Sequence, residues 1–238
     1  MTQIDQSVDS YFSLRGIDSF LEQKNELPSY LVDYLPSNKD ARICDIGCGF
    51  GRLMIALKER GYENIEGVDQ DSKAIHWCEQ NGLKVTHEPI ASFVENKPSE
   101  QFDAVIMSHV LEHLPKDDII SILRKIKSNL LVPGGRIYIM VPNAQSATGC
   151  YWAYEDFTHT TLFTVGSLSY VLKAAGFKNL EIIDPDCLAG LSYGRQLVRK
   201  ILLSVYKIRI AFWNKITASS FHKPSSSVYS FEIKMVAS

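Results

Sequence analysis

The stretch Ile43-Cys-Asp-Ile-Gly-Cys-Gly-Phe-Gly-Arg-Leu53 is a short apolar run broken by one acid, Asp45, and followed by glycines at 47, 49 and 51. An apolar β-branched run reads as a buried strand, and the periodic Leu53, Ile55, Ala56 and Leu57 that follow read as an amphipathic helix closed near Gly61. A strand that turns through glycines into a helix N-terminus makes a cradle of backbone N–H groups at the carboxyl end of a parallel strand. Glycine permits positive φ and close approach of backbone to a ligand. A dinucleotide fingerprint needs a small residue at the sixth position of G-x-G-x-x-G, but Arg52 stands there and the third glycine comes one residue early.

Outward from this stretch, strand-like runs alternate with helical ones. Asn64–Asp69 reads as strand two, Ser72–Gly82 as a helix, Leu83–His87 as strand three and Phe102–Ser108 as strand four. Lys116–Leu130 reads as a helix and Gly134–Asn143 as strand five. A loop of about twenty residues is expected over 144–163. A helix then runs from an N-cap at Thr164 to a stop at Gly176. Two strands close the pattern, Lys178–Asp184 and Ser227–Ala237, the latter alternating Tyr229, Phe231, Ile233 and Met235 with Ser230, Glu232 and Lys234. Two amphipathic stretches, near Val8–Phe20 and Leu27–Pro36, precede the first strand.

The expected fold class is α/β: seven mostly parallel strands in a Rossmann-like sheet with helices on both faces. With 238 residues, 45% of them hydrophobic, the chain reads as a single domain. Residues 1–40 form a helical cap, 41–184 the core, 185–226 a basic helical insertion and 227–238 the last strand. A net charge of -2 gives no global case for a nucleic-acid partner. Five scattered cysteines fit reduced thiols rather than a disulfide framework, and no metal site is expected. With neither a signal-peptide pattern nor a spanning apolar run, the expected location is the cytoplasm.

At Asp45–Leu53 the chain resembles the class I S-adenosylmethionine-dependent methyltransferases. Asp69 at the end of strand two, "FDAVIMSHVLEHL" and "LLVPGGRIYIMVPN" resemble that family's further motifs in order and spacing. The resemblance implies S-adenosylmethionine as cofactor, wrapped by Gly47, Gly49 and Gly51, with Asp45 organising the loop and the cofactor's ammonium group. A carboxylate at Asp69 suits the ribose diol because it offers two acceptor oxygens. Gln70, Ile90 and Ser108 complete the implied cofactor set. "HEPIAS" departs from the family pattern, with Pro89 near the place of an adenine-binding acid.

On the acceptor side, "YEDFTHTTLFT" running into a helix that ends Ala-Gly-Phe resembles bacterial methyltransferases of surface-polysaccharide and sugar biosynthesis. This implies O-methylation of a sugar or glycan intermediate, with a quinone-like or other small metabolite, or a non-catalytic partner subunit, as alternatives. A hydroxyl acceptor must shed its proton, so His159 with Asp156 is the first candidate base pair, and His109 and His113 compete. From Cys187 to Phe231 there are seven basic residues and no acids. That segment reads as a helical insertion packed on its own domain or on a dimer mate, or as a peripheral contact with the anionic inner face of a membrane, or as a clamp for an anionic acceptor.

Overall fold

The structure is a computed structural model describing residues 25–96, 101–221, 225 and 228–238. The amphipathic stretch at Val8–Phe20 lies outside the described residues. The elements in chain order are α1 (Ser29–Val32), β1 (Ile43–Ile46), α2 (Arg52–Glu59), β2 (Ile65–Asp69), α3 (Ser72–Gln80), β3 (Val85–His87), α4 (Ile90–Asn96) and β4 (Phe102–Ser108). There follow α5 (Ile119–Lys125), β5 (Leu131–Pro142), α6 (Gly149–Glu155), α7 (Val165–Ala174), β6 (Leu180–Ile182), α8 (Tyr193–Ile216) and β7 (Glu232–Ala237).

The strands hydrogen-bond in the order β3-β2-β1-β4-β5-β7-β6, with β1 parallel to β2 and β4, β2 parallel to β3, and β7 antiparallel to β6. This is the expected mostly parallel seven-stranded sheet. The described residues fall into two compact units, one reaching Met107 and including Lys125–Ile137, the other Ser108–Arg124 with Tyr138–Ser238.

In the first unit the four residues of β1 are all buried, which fits a central parallel strand covered on both faces. The sequence order reverses between β1 and β4, so the carboxyl end of β1 is where an open sheet of this kind binds ligands. Asp71 caps α3 by accepting from the amides of Lys73 and Ala74. In the second unit Thr164 and Ser167 form the capping box of α7, which buries Val165, Leu168 and Leu172.

Several details depart from the sequence pattern, among them α4, a helix where none was expected between strands three and four. The expected loop over 144–163 contains α6, whose one buried residue is Gly149, so there was no apolar stripe to read. The helix over Lys116–Leu130 is α-helical only to Lys125 and ends in a wider π turn, Ile126–Leu130, after which β5 begins three residues earlier than expected. Of Leu27–Pro36 only one helical turn forms. Finally, β7 buries both alternating sets: Glu232 and Lys234 are as enclosed as Ile233 and Met235. Their charges have partners, Glu232 Oε1 lying 2.9 Å from His109 Nε2 and Lys234 donating to Asp184 at 2.9 Å.

Candidate active site

Two groups of polar residues stand out, one in each unit. In the first, Gly47, Gly49 and Gly51 all take positive φ (73°, 49° and 64°), so the loop after β1 requires the residue type found there. Its position is fixed from three sides. The amides of Gly47 and Cys48 donate to Val68 O, the Cys78 thiol donates to Gly49 O at 3.3 Å, and Gly49 N donates to Asp69 Oδ2 at 2.8 Å. The other Asp69 oxygen accepts from Asp71 N at 2.9 Å. Asp69 thus ties the end of β2 to the glycine loop, and each oxygen keeps a further acceptor position.

Asp45 lies in the same group, buried in β1. Burial, with Asp69 nearby adding to it, pushes its carboxyl up to about 7. Burial also raises Asp69, while the backbone donors pull it back down. The group therefore holds two carboxyl groups whose full ionisation is unfavourable until a cation or hydrogen-bond donors arrive. Gln70 is exposed and its carbonyl accepts from His87 Nε2, and Ile90 opens α4 half-buried.

The second group is assembled from the turn after β4, the segment after α6 and β7. Ser108 closes β4, and His109 follows with φ 55°, a left-handed conformation rare outside glycine, held by its amide bond to Met140 O. Its ring lies between two carboxylates, Nδ1 at 3.3 Å from Glu112 Oε1 and Nε2 at 2.9 Å from Glu232 Oε1. Burial opposes its charge, but Glu112 and Glu232 outweigh burial and push the imidazole up to about 10. The side chain is 46% exposed, so solvent screens part of this attraction; the direction gives a cation at neutral pH.

His113 and His159 form the centre of this group, their ring centroids 4.7 Å apart. Thr158 spends its single proton on Asp156 Oδ1 at 2.6 Å, so its oxygen accepts from His113 Nδ1 at 2.8 Å. His159 Nδ1 donates to Trp152 O at 2.7 Å. Both rings are thereby held as Nδ1–H tautomers with Nε2 as the basic atom. The sequence pattern assigned Asp156 the task of fixing the His159 tautomer. In the structure the Trp152 carbonyl does so, and Asp156 Oδ2 stands 3.8 Å from His159 Nε2. Burial pulls His113 below the ordinary imidazole value, with Glu112 acting in the opposite sense.

Glu112 and Glu232 were not among the sequence-derived candidates. The Glu112 side chain is 0% exposed, 3.3 Å from His109 Nδ1 and 4.0 Å from His159 Nε2. Neither of its oxygens has a hydrogen bond of proper geometry. Its backbone is pinned instead, the carbonyl accepting from the amides of Thr160 and Thr161 and from the Thr160 hydroxyl. Glu112, His113 and His159 bring one ligand atom each to within 4.8 Å of one another, a set able to hold a metal ion. A signal for Glu112 was present in "SHVLEHL", an acid between two histidines at helical spacing; Glu232 gave none beyond being an acid in a strand.

Comparison with known proteins identifies the family. A family profile described as a methyltransferase domain matches residues 20–182. The chain is 26% identical over 184 residues to a ubiquinone biosynthesis O-methyltransferase of Dechloromonas aromatica, covering 73% of this chain and 77% of that one. A second protein of that name, from Aeromonas salmonicida, is 34% identical over 108 residues, 43% of each chain, so the chain spans less than half of its length. In fold, a SAM-dependent methyltransferase from Archaeoglobus fulgidus superposes with a TM-score of 0.67 at 24% identity, covering 96% of this chain and 99% of that one. The polysaccharide assignment finds no support among these relatives. The glycine loop, the strand order and the family match together place the chain among the class I S-adenosylmethionine-dependent methyltransferases, with S-adenosylmethionine as its cofactor.

Proposed function

We propose that the chain transfers a methyl group to a hydroxyl of a small quinone-precursor-like acceptor, with His113 and His159 as the proton-accepting pair. Two relatives named as ubiquinone biosynthesis O-methyltransferases support this acceptor class over the sugar read from the sequence. The observation that carries the chemistry is the pair of imidazoles, each with Nδ1–H engaged and Nε2 basic.

The first group of residues fits the cofactor. Its buried Asp45, pushed up to about 7, gains from an ammonium group beside it, and Asp69 keeps an acceptor position on each oxygen for a vicinal diol. When bound, S-adenosylmethionine supplies a methyl group on a sulfonium. The chain's own tasks are then to align the acceptor oxygen with that methyl and to remove its proton. Nε2 of His113 or His159 takes the proton as the oxygen–carbon bond forms. The carboxylates of Glu112 and Asp156 stabilise the imidazolium so produced. His109, already charged between Glu112 and Glu232, cannot accept a proton and serves to neutralise Glu112. Incubating the protein with methyl-labelled donor and either a catechol or a reducing sugar distinguishes the acceptors: label is expected in a phenyl methyl ether, and label in the sugar alone would return the glycan reading.

A second reading rests on the two unbonded oxygens of Glu112. A divalent cation held by Glu112 and the two Nε2 atoms would lower the acceptor hydroxyl's proton affinity in place of a base. Turnover lost on chelation and restored by one divalent ion favours this reading; turnover indifferent to chelator favours the imidazole pair.

A further inference from the structure

The longest helix of the second unit leaves an apolar face exposed. α8 runs 24 residues without a single buried side chain. At 100° per residue Leu197, Ile201, Val205, Ile208 and Phe212 fall on one narrow stripe, and each keeps at least half of its surface exposed. The half-buried residues lie on the opposite side: Gln196, Leu203, Tyr206, Lys207, Ile210 and Asn214. That inner side is tied down by polar bonds, Gln196 to Leu191 O and Lys207 to Asp186, and by the Tyr206 ring against Tyr229. The inner side is a mixed face of apolar and polar residues, and the helix leaves its aliphatic stripe to solvent.

We propose that α8 is a membrane-docking helix that lies in the headgroup layer of an anionic bilayer. The charge pattern selects this occupant. Arg195 and Arg209 on one flank of the stripe and Lys200 on the other are all exposed, Arg199 turns to the inner side and donates to Asp186 O, and no acid occurs from Cys187 to Phe231. Long basic side chains beside an apolar stripe reach up to lipid phosphates while the stripe enters the acyl boundary. A second copy of the chain fits worse, because a two-fold interface sets this face against itself and meets only like charge. Crossing the bilayer is not on offer: no described helix is long and apolar enough to span one. Lying flat, the helix presents about 36 Å of contact. The proposal stands on α8 alone and holds whichever acceptor the enzyme methylates.

The test is sedimentation of the full chain with vesicles of phosphatidylglycerol or of phosphatidylcholine, alongside sedimentation equilibrium without lipid. The wild type is expected in the phosphatidylglycerol pellet, in the supernatant with phosphatidylcholine, and released at about 0.5 M salt. Arg195→Glu/Lys200→Glu/Arg209→Glu should weaken vesicle binding by roughly fivefold or more per reversed charge. Ile201→Ser/Val205→Ser/Ile208→Ser should abolish it without touching a basic residue. Both variants should melt like the wild type and bind S-adenosylhomocysteine equally, since none of these side chains is buried. Three results would overturn the proposal: a wild type that ignores phosphatidylglycerol, an apolar variant that binds it undiminished, or a wild-type dimer that the same substitutions convert to monomer.

Discussion

The glycine loop and the histidine group solve opposite problems. The loop is specified by backbone: three positive φ angles within five residues, amides and one thiol fixing its course, and a single carboxylate, Asp69, as its clasp. The histidine group is specified by side chains from residues 109, 112, 113, 156, 158, 159 and 232, and its backbone supports them from behind. A loop made of backbone suits the part of a reaction that stays the same, the methyl donor that we propose it holds. A cluster made of side chains can change with the acceptor while the loop persists.

That difference sets the size of what substitutions should do. The harshest lies in the loop. Gly49→Val forces a β-branched residue to φ near 49° and disturbs the amide that holds Asp69, so donor affinity should fall by about 100-fold or more by calorimetry. Asp69→Ala leaves the backbone angles allowed but removes the clasp and the proposed diol acceptor together. Donor affinity should fall by more than about tenfold, with turnover at saturating donor little changed.

Proton linkage gives a smaller and more selective effect. Because burial pushes the Asp45 carboxyl up to about 7 and the ammonium partner proposed for it needs its ionised form, donor affinity should rise as pH increases. The rise should approach about tenfold per pH unit below that value and level off above it. Asp45→Asn should flatten the profile. In the free protein the same raised carboxyl binds its proton more tightly folded than unfolded, so its contribution to stability is present at low pH and declines as pH rises toward 7. A donor affinity independent of pH from 5.5 to 8.5 would separate Asp45 from the ammonium group.

The mildest prediction sharpens the other side. Glu232→Gln removes one of the two carboxylates that keep His109 charged, so the His109 pKa should drop while donor affinity stays constant. Turnover should change by less than about tenfold, and imidazole proton resonances followed against pH report the shift directly. An unmoved His109 would mean that Glu112 alone holds its proton.

The same contrast explains how much of the molecule could be read from its sequence. Strands β1 to β4 and the loop announce themselves locally, since their apolar runs, the three glycines and the acids Asp45 and Asp69 are contiguous with them. The acids and histidines of the second group were visible singly, and "SHVLEHL" placed three of them together. Their assembly was not visible, because it depends on which turn meets which segment. Asp156 and His159 were paired by spacing, and the structure instead gives each its own partner, Thr158 for one and the Trp152 carbonyl for the other. Glu232 was read as one of the polar residues of an alternating strand, and the ring of His109, across 123 residues of chain, supplies the partner that its burial needs. α6 escaped because a helix burying nothing but a glycine carries no apolar period. α8 was legible as a basic amphipathic helix but not in its orientation, which no periodicity encodes.

The division of labour between the two groups is tested most directly by single-turnover methyl transfer with donor already bound. The wild type should be compared with His113→Ala/His159→Ala, with and without added imidazole. We expect the double variant to bind S-adenosylhomocysteine like the wild type, to transfer its methyl at least about 100-fold more slowly to a phenolic acceptor, and to regain part of that rate with imidazole. Transfer at the wild-type rate, or a loss of donor affinity matching the loss of rate, would contradict the assignment of proton removal to the histidine pair.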